Sequence, residues 1–239
     1  MFKLLAALPI IMIEIVFALV KMVTACITGV LGIIRVWCFK EYDYRNWLKR
    51  DLADCESILE LGCGSNSPIL QIGYGLKTNA IDIWQPYVDM HERQNNYLEI
   101  IQGDILNMAF TQQDWDAVVI CDVLEHLPKD KVSCSKLFER IENAAKKKVI
   151  LFTPNGFIEN DEADGDPFQA HLSAWEPEDY TSRGYKVVGA TGFRWLFGKA
   201  SRPKYHPYSV CEIIGMLSKP VVLNKPAWAR HSYAVKEVS

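Results

Sequence analysis

Residues 57–68 read Ser57-Ile58-Leu59-Glu60-Leu61-Gly62-Cys63-Gly64-Ser65-Asn66-Ser67-Pro68. Ile58, Leu59 and Leu61 form a short apolar run with Glu60 near its carboxyl end. Gly62 and Gly64 interrupt it at once, and small polar residues follow. The pattern predicts a buried strand that ends in a tight glycine turn. Glycine is needed where a ligand must approach the backbone without meeting a Cβ. In an open α/β sheet, a turn after the first strand lies at the crevice where nucleotide-like cofactors bind. An ordinary strand-to-helix turn is the plainer reading of the same residues.

Further strands follow at regular intervals. Thr78–Ile83 reads as a second strand whose tip carries Asp82, 20 residues after Gly62. A carboxylate there can accept two hydrogen bonds from a ribose diol. Leu98–Gln102 is a third strand, followed by Gly103-Asp104-Ile105; Asp104 suits either a cofactor contact or a turn cap. Trp115–Cys121 is apolar enough for a central parallel strand and runs into Asp122-Val123-Leu124-Glu125-His126-Leu127. Val132, Leu137, Phe138 and Ile141 give residues 131–145 helical spacing, with Lys146-Lys147-Lys148 as its basic end. Val149–Thr153, Gly184–Gly189 and His231–Val238 complete the strands, and Pro207–Leu217 is expected to be the last helix. Strands alternating with helices predict an α/β, doubly wound, largely parallel sheet.

Glu60-x-Gly62-x-Gly64 resembles motif I of the class I S-adenosylmethionine (SAM)-dependent methyltransferases. The Leu124-Glu125-His126 run and the His171-x-Ser173-x-Trp175 run resemble those of the type 11 and type 23 methyltransferases. The resemblance covers about residues 40–238. It implies a Rossmann-like seven-stranded sheet with strand seven antiparallel and helices on both faces. It also implies SAM as cofactor, held by Glu60, Gly62, Cys63, Gly64, Asp82, Ile83, Asp104, Ile105 and Asp122. In the family the motif I acid helps hold the methionine amino end, and the acid after strand three faces the adenine. Glu125-His126 is scaffold for the cofactor floor in the family, with a basic role for His126 as the sharper alternative. His171 is the candidate catalytic base, with a loop-anchoring hydrogen bond as its alternative. The implied reaction is in-line displacement at the sulfonium methyl, driven mainly by positioning.

Two other functions compete. A dinucleotide-dependent oxidoreductase would place glycine or alanine where Ser67 stands. A catalytically silent, SAM- or partner-binding subunit would keep the same turn and acids.

Composition narrows the partners. The chain has 239 residues, 23% charged and 49% hydrophobic, as an ordinary globular protein does. A net charge of −3 offers no case for nucleic acid. Seven cysteines, an odd number with no Cys-x-x-Cys, predict reduced structural thiols. No metal site is expected: the acids of the loop 157–175 match no ligand spacing.

The chain is expected to divide into a hydrophobic helical segment, 1–36, and a methyltransferase domain, 37–239. Residues 2–34 hold only Lys3, Glu14 and Lys21 as charges, and residues 1–50 carry seven Lys/Arg against three acids. A membrane anchor, a cleaved signal, a docked helix and an overlong gene start are the readings of this stretch. The anchor reading implies attachment to the cytoplasmic face of a membrane, with a small-molecule or lipid-linked acceptor; otherwise the chain is expected in the cytoplasm. In Trp37–Leu52, Tyr44, Trp47, Leu48 and Leu52 share a helical face. That face suits a lid over the cofactor, a packing helix or an interfacial belt. Arg194 suits an anionic substrate group or an acid of the loop.

Overall fold

The computed structural model describes residues 39–160 and 165–238. The hydrophobic segment 1–36, with its anchor reading, lies outside them. Tyr42–Ser239 forms one compact unit. Among the described residues no helix is long and apolar enough to cross a membrane.

The strands are β1 (Ile58–Leu61), β2 (Thr78–Asp82), β3 (Glu99–Gln102), β4 (Trp115–Cys121), β5 (Ala145–Pro154), β6 (Lys186–Phe193) and β7 (Ala229–Glu237). They form one sheet in the order β3-β2-β1-β4-β5-β7-β6. The first five pair in parallel, and β7 runs antiparallel to both β5 and β6. The seven-stranded Rossmann-like sheet with strand seven reversed is therefore present. The order reverses between β1 and β4, which places the crevice at the carboxyl ends of these two strands.

The central strands are apolar on both sides because both sides are covered. Leu59, Leu61, Val118, Ile120, Val149 and Leu151 face one core. Onto it pack helix α4 (Lys129–Cys134) through Val132, α5 (Leu137–Ala144) through Phe138 and Ile141, and α6 (Pro177–Thr181) through Tyr180. The alternate residues Ile58, Ala117, Val119, Ile150 and Phe152 face the other core. It is covered by α1 (Tyr44–Asp51), α2 (Pro68–Gln71) and α3 (Gln85–Gln94) through Trp47, Leu48, Ile69 and Val88. Helices α7 (Tyr208–Leu217) and α8 (Lys219–Leu223) lie beside β6.

The structure corrects several boundaries. The helix expected over 131–145 is two helices, broken at Lys136, which takes φ 52°. The lysine triplet belongs to β5, not to a helix end. Lys146 donates to the Asp114 carbonyl, Lys147 pairs with Asp116 and Lys148 with Asp54. Between β1 and β2, Pro68–Gln71 forms the single turn of α2. The aromatic face of α1 packs on the sheet: Tyr44 stacks on Phe152 at 3.8 Å, and Trp47 meets Tyr233 edge-on. Arg194 forks onto Glu176, just beyond the acidic loop, at 2.9 and 3.2 Å.

Candidate active site

The glycine turn is fixed by three elements. Gly62 adopts φ +75° and Gly64 φ +55°, both in the left-handed region. A Cβ on Gly62 would lie 2.4 Å from Val123 Cγ2. The Gly64 N–H donates to Asp82 Oδ2 at 2.8 Å, and the Trp84 N–H donates to Oδ1 at 2.8 Å. Asp82 therefore ties the tip of β2 to the turn after β1. From α3, His91 Nε2 lies 2.7 Å from the Gly64 carbonyl, and Asn96 Nδ2 lies 2.9 Å from His91 Nδ1. The asparagine amide nitrogen can only donate, so the ring proton sits on Nε2 and points at Gly64.

Below the turn, Glu60 is 1% exposed. The Ser67 hydroxyl approaches both of its oxygens, at 2.6 and 2.8 Å, and the Tyr97 hydroxyl donates to Oε2 at 2.8 Å. Burial pushes the Glu60 carboxyl up to about 7, against the pull of these hydrogen bonds.

A cavity of about 630 Å³, counted with its open mouth, lies over the carboxyl ends of β1, β2 and β4. Gly62, Gly64, Asp82, Ile83, Asp104, Ile105 and Asp122 all line it. Glu60 and Cys63 do not; Glu60 supports the turn from beneath, and Cys63 is buried with its thiol 3.7 Å from Asp82. Asp104 also caps its own loop, accepting from the Leu106 N–H and Asn107 Nδ2. The remaining wall comes from Tyr87, Val123, His126, Leu127, Asp166 and Phe168, among others. Asp166 is 1% exposed and accepts from the Phe168 N–H and Gln169 Nε2.

The charge of this wall decides what it can hold. Four carboxyl groups, Asp82, Asp104, Asp122 and Asp166, line the cavity, with burial pushing Asp122 up to about 7, and no lysine or arginine does among the described residues. A pyrophosphate needs cationic or amide donors at a helix N-terminus. Here α2 is a single turn, and the Ser67 side chain already accepts from its first N–H groups. The wall instead suits a ligand carrying positive charge, hydroxyl donors and an apolar-faced ring. SAM, with a sulfonium, an ammonium, a ribose and an adenine, fits that donor set.

His171 is brought next to His126 rather than into the cavity wall. The two rings meet edge-on with centroids 4.8 Å apart. The loop that carries His171 is stitched to the segment after β4. The Leu172 and Ser173 N–H groups donate to the Glu125 carbonyl at 2.7 and 3.0 Å. The Ser173 hydroxyl and Trp175 Nε1 both reach the Leu124 carbonyl at 3.0 Å. The His-x-Ser-x-Trp spacing is thereby explained: serine and tryptophan anchor the loop, and histidine is left facing His126. Burial, then the neighbouring His126, pulls the His171 ring down to about 4. A base that weak takes up a proton poorly near neutral pH. Burial also lowers His126. Glu125, 2% exposed, is held well above the usual carboxyl range by burial and then by Asp122.

Comparison with known proteins agrees with this geometry. Residues 59–153 match a family described as methyltransferase domain. Over 175 residues it is 24% identical to sterol 24-C-methyltransferase ERG6A of Gibberella zeae, covering 66% of this chain and 45% of that protein. The chain thus spans less than half the length of this relative. A SAM-dependent methyltransferase from Archaeoglobus fulgidus superposes with a TM-score of 0.50 at 16% identity, over 81% of this chain and 94% of that one. The DhpI–SAH complex does so with a TM-score of 0.51 at 17% identity, over 85% and 87%. These two structures bear on the methyltransferase fold.

Sequence reasoning did not find Tyr87, Asp166 or Phe168. Tyr87 sits in the first turn of α3 with no motif around it, and the other two lie in an acidic loop that reads as solvated. Asp166-x-Phe168-Gln169, an aspartate capping its own turn, was the one local signal available.

Proposed function

We propose that this chain is a SAM-dependent methyltransferase acting on a small-molecule or lipid-linked acceptor. The observation that carries the reading is the cavity lined by four aspartates over the glycine turn. When bound, SAM supplies an electrophilic methyl on a sulfonium. Asp82, fixed by two backbone N–H groups, holds the ribose hydroxyls. Gly62 and Gly64 keep the turn free of side chains beneath the ligand. Asp104 and Ile105 take the adenine, and Asp122 and Asp166 balance the positive charge.

A second observation favours the lipid-linked acceptor. Residues 194–228 carry six Lys/Arg against one acid, Glu212. The same stretch exposes Trp195, Tyr205, Tyr208, Ile214, Leu217 and Trp228. Apolar and aromatic side chains among cationic ones suit an anionic membrane surface. The anchor reading of residues 2–34 points the same way, as does the sterol-methylating relative. In this reading residues 1–36 attach a domain of 37–239 to the cytoplasmic face of a membrane.

The test is calorimetric titration of the full chain, in detergent, with SAM and separately with NADH. Saturable SAM binding without NADH binding is expected. NADH binding alone overturns the reading. SAM binding without transfer of labelled methyl to a lipid extract or a small-molecule panel would favour the silent-subunit alternative.

A further inference from the structure

Beside the cofactor cavity, Glu125, His126 and His171 each present one ligand atom, and the three atoms lie within 4.8 Å of one another. Two polar atoms here have no hydrogen-bond partner although fully buried: Glu125 Oε2 and His171 Nδ1. Leaving a buried carboxylate oxygen and a ring nitrogen unsatisfied is costly, and such orphans need a reason. Both belong to residues of this one cluster, which supplies one.

The third group is oriented for the same purpose. His126 Nδ1 lies 3.1 Å from the Ala170 carbonyl. A carbonyl only accepts, so Nδ1 carries the ring proton and Nε2 presents its lone pair. An imidazole whose far nitrogen is held by a backbone carbonyl is the usual support of a metal-ligating histidine. The backbone around it is rigidly joined, because the residues after His171 donate to the carbonyl of Glu125 itself.

We infer that Glu125, His126 and His171 form a binding site for one divalent transition-metal ion at the rim of the cofactor cavity. Two imidazoles and one carboxylate suit Mn²⁺, Fe²⁺, Co²⁺ or Zn²⁺ better than Mg²⁺ or Ca²⁺, which prefer all-oxygen shells. Bonds of about 2.1 Å hold ligand atoms at most about 4.2 Å apart, so the ion draws the three groups together by about half an ångström. Three protein ligands leave positions open. His126 also lines the cavity, so those positions lie beside the cofactor and take an oxygen of the acceptor. The ion site stands apart from the methyl-transfer reading; only this role of its open positions rests on it. The sequence concealed the site because His171 lies far along the chain from the Glu125-His126 pair.

The test is Mn²⁺ titration of the chelator-treated full chain, read by calorimetry and by loss of the free-ion electron paramagnetic resonance signal. Manganese is used because the buried thiols compete poorly for it. One equivalent is expected to bind, and His171→Gln and Glu125→Gln should each weaken it at least tenfold. A parallel SAM titration reports whether each variant is folded and keeps a failed metal site distinct from a failed cofactor site. If either variant fails to fold, His126→Gln replaces it. No bound Mn²⁺ in the full chain, or equal binding by folded variants, overturns the assignment.

Discussion

The Ser67 hydroxyl bridges the two oxygens of the buried Glu60 carboxylate at 2.6 and 2.8 Å, while its oxygen accepts from the Ile69 N–H at 3.0 Å. One side chain thus caps α2 and satisfies the acid beneath the glycine turn. A third glycine at this position would leave Glu60 with Tyr97 as its hydrogen-bonding side chain. The serine is what makes a buried acid tolerable here.

Glu60 should make stability fall as pH rises. Its carboxyl stands near 7 in the folded chain against an ordinary 4.5. Between those values the folded state binds more protons than the unfolded one, so stability declines across that window. For a fully buried group the total is about 3 kcal/mol. Glu60→Gln should flatten the decline between about pH 4.5 and 7, measured by urea denaturation. The buried histidines His126 and His171 act oppositely, losing stability as pH falls, so the difference between variant and parent is the quantity to read. An unchanged slope would show that Glu60 is not the titrating group.

Asp82 should set cofactor affinity. Its two oxygens are aimed by the Gly64 and Trp84 N–H groups. Asp82→Asn removes the charge and turns one acceptor into a donor, with nearly unchanged volume. Hydrogen bonds to a charged group contribute about 1.5–3 kcal/mol, so SAM should bind about 10- to 100-fold more weakly by calorimetry. Unaltered affinity would place the ribose elsewhere.

The fold was legible where burial is two-sided. Val118 and Ile150 belong to short runs of consecutive apolar residues, which a central parallel strand accounts for. The glycine turn and Asp82 were legible because their chemistry depends on spacing along the chain. Lys146–Lys148 misled because each lysine finds its oxygen on another segment, at Asp114, Asp116 and Asp54. Glu125, His126 and His171 meet only after the loop beyond β5 folds back onto the turn beyond β4, and no local pattern encodes that return.

Trp175 should be a stability residue. It is 1% exposed, and its Nε1 donates to the Leu124 carbonyl and meets the Ser173 hydroxyl at 2.9 Å. Trp175→Phe keeps most of the apolar area but loses the donor and part of the volume. The expected cost is about 2 kcal/mol in denaturant unfolding. Because Trp175 anchors the loop that carries His171, Mn²⁺ affinity should fall in the same variant while SAM affinity changes less. Equal losses of both would mean that the loop and the cofactor cavity deform together.

Gly62 offers a way to separate backbone strain from steric contact. Its φ of +75° disfavours any residue with a Cβ, and the Cβ itself would meet Val123 Cγ2 at 2.4 Å. Gly62→Ala should cost about 2–4 kcal/mol, the sum of left-handed strain and overpacking. Val123→Ala removes the obstructing methyls and by itself costs about 1–2 kcal/mol as a small cavity. If contact dominates, the double variant should be no less stable than Val123→Ala by more than about 1 kcal/mol, the residual strain of the left-handed backbone. If strain dominates, the two losses should add. Since Val123 lines the cavity, SAM affinity measured on the same four proteins shows whether the turn can carry a methyl group under the ligand at all. Affinity restored in the double variant would assign the glycine requirement to Val123; affinity still lost would assign it to the ligand.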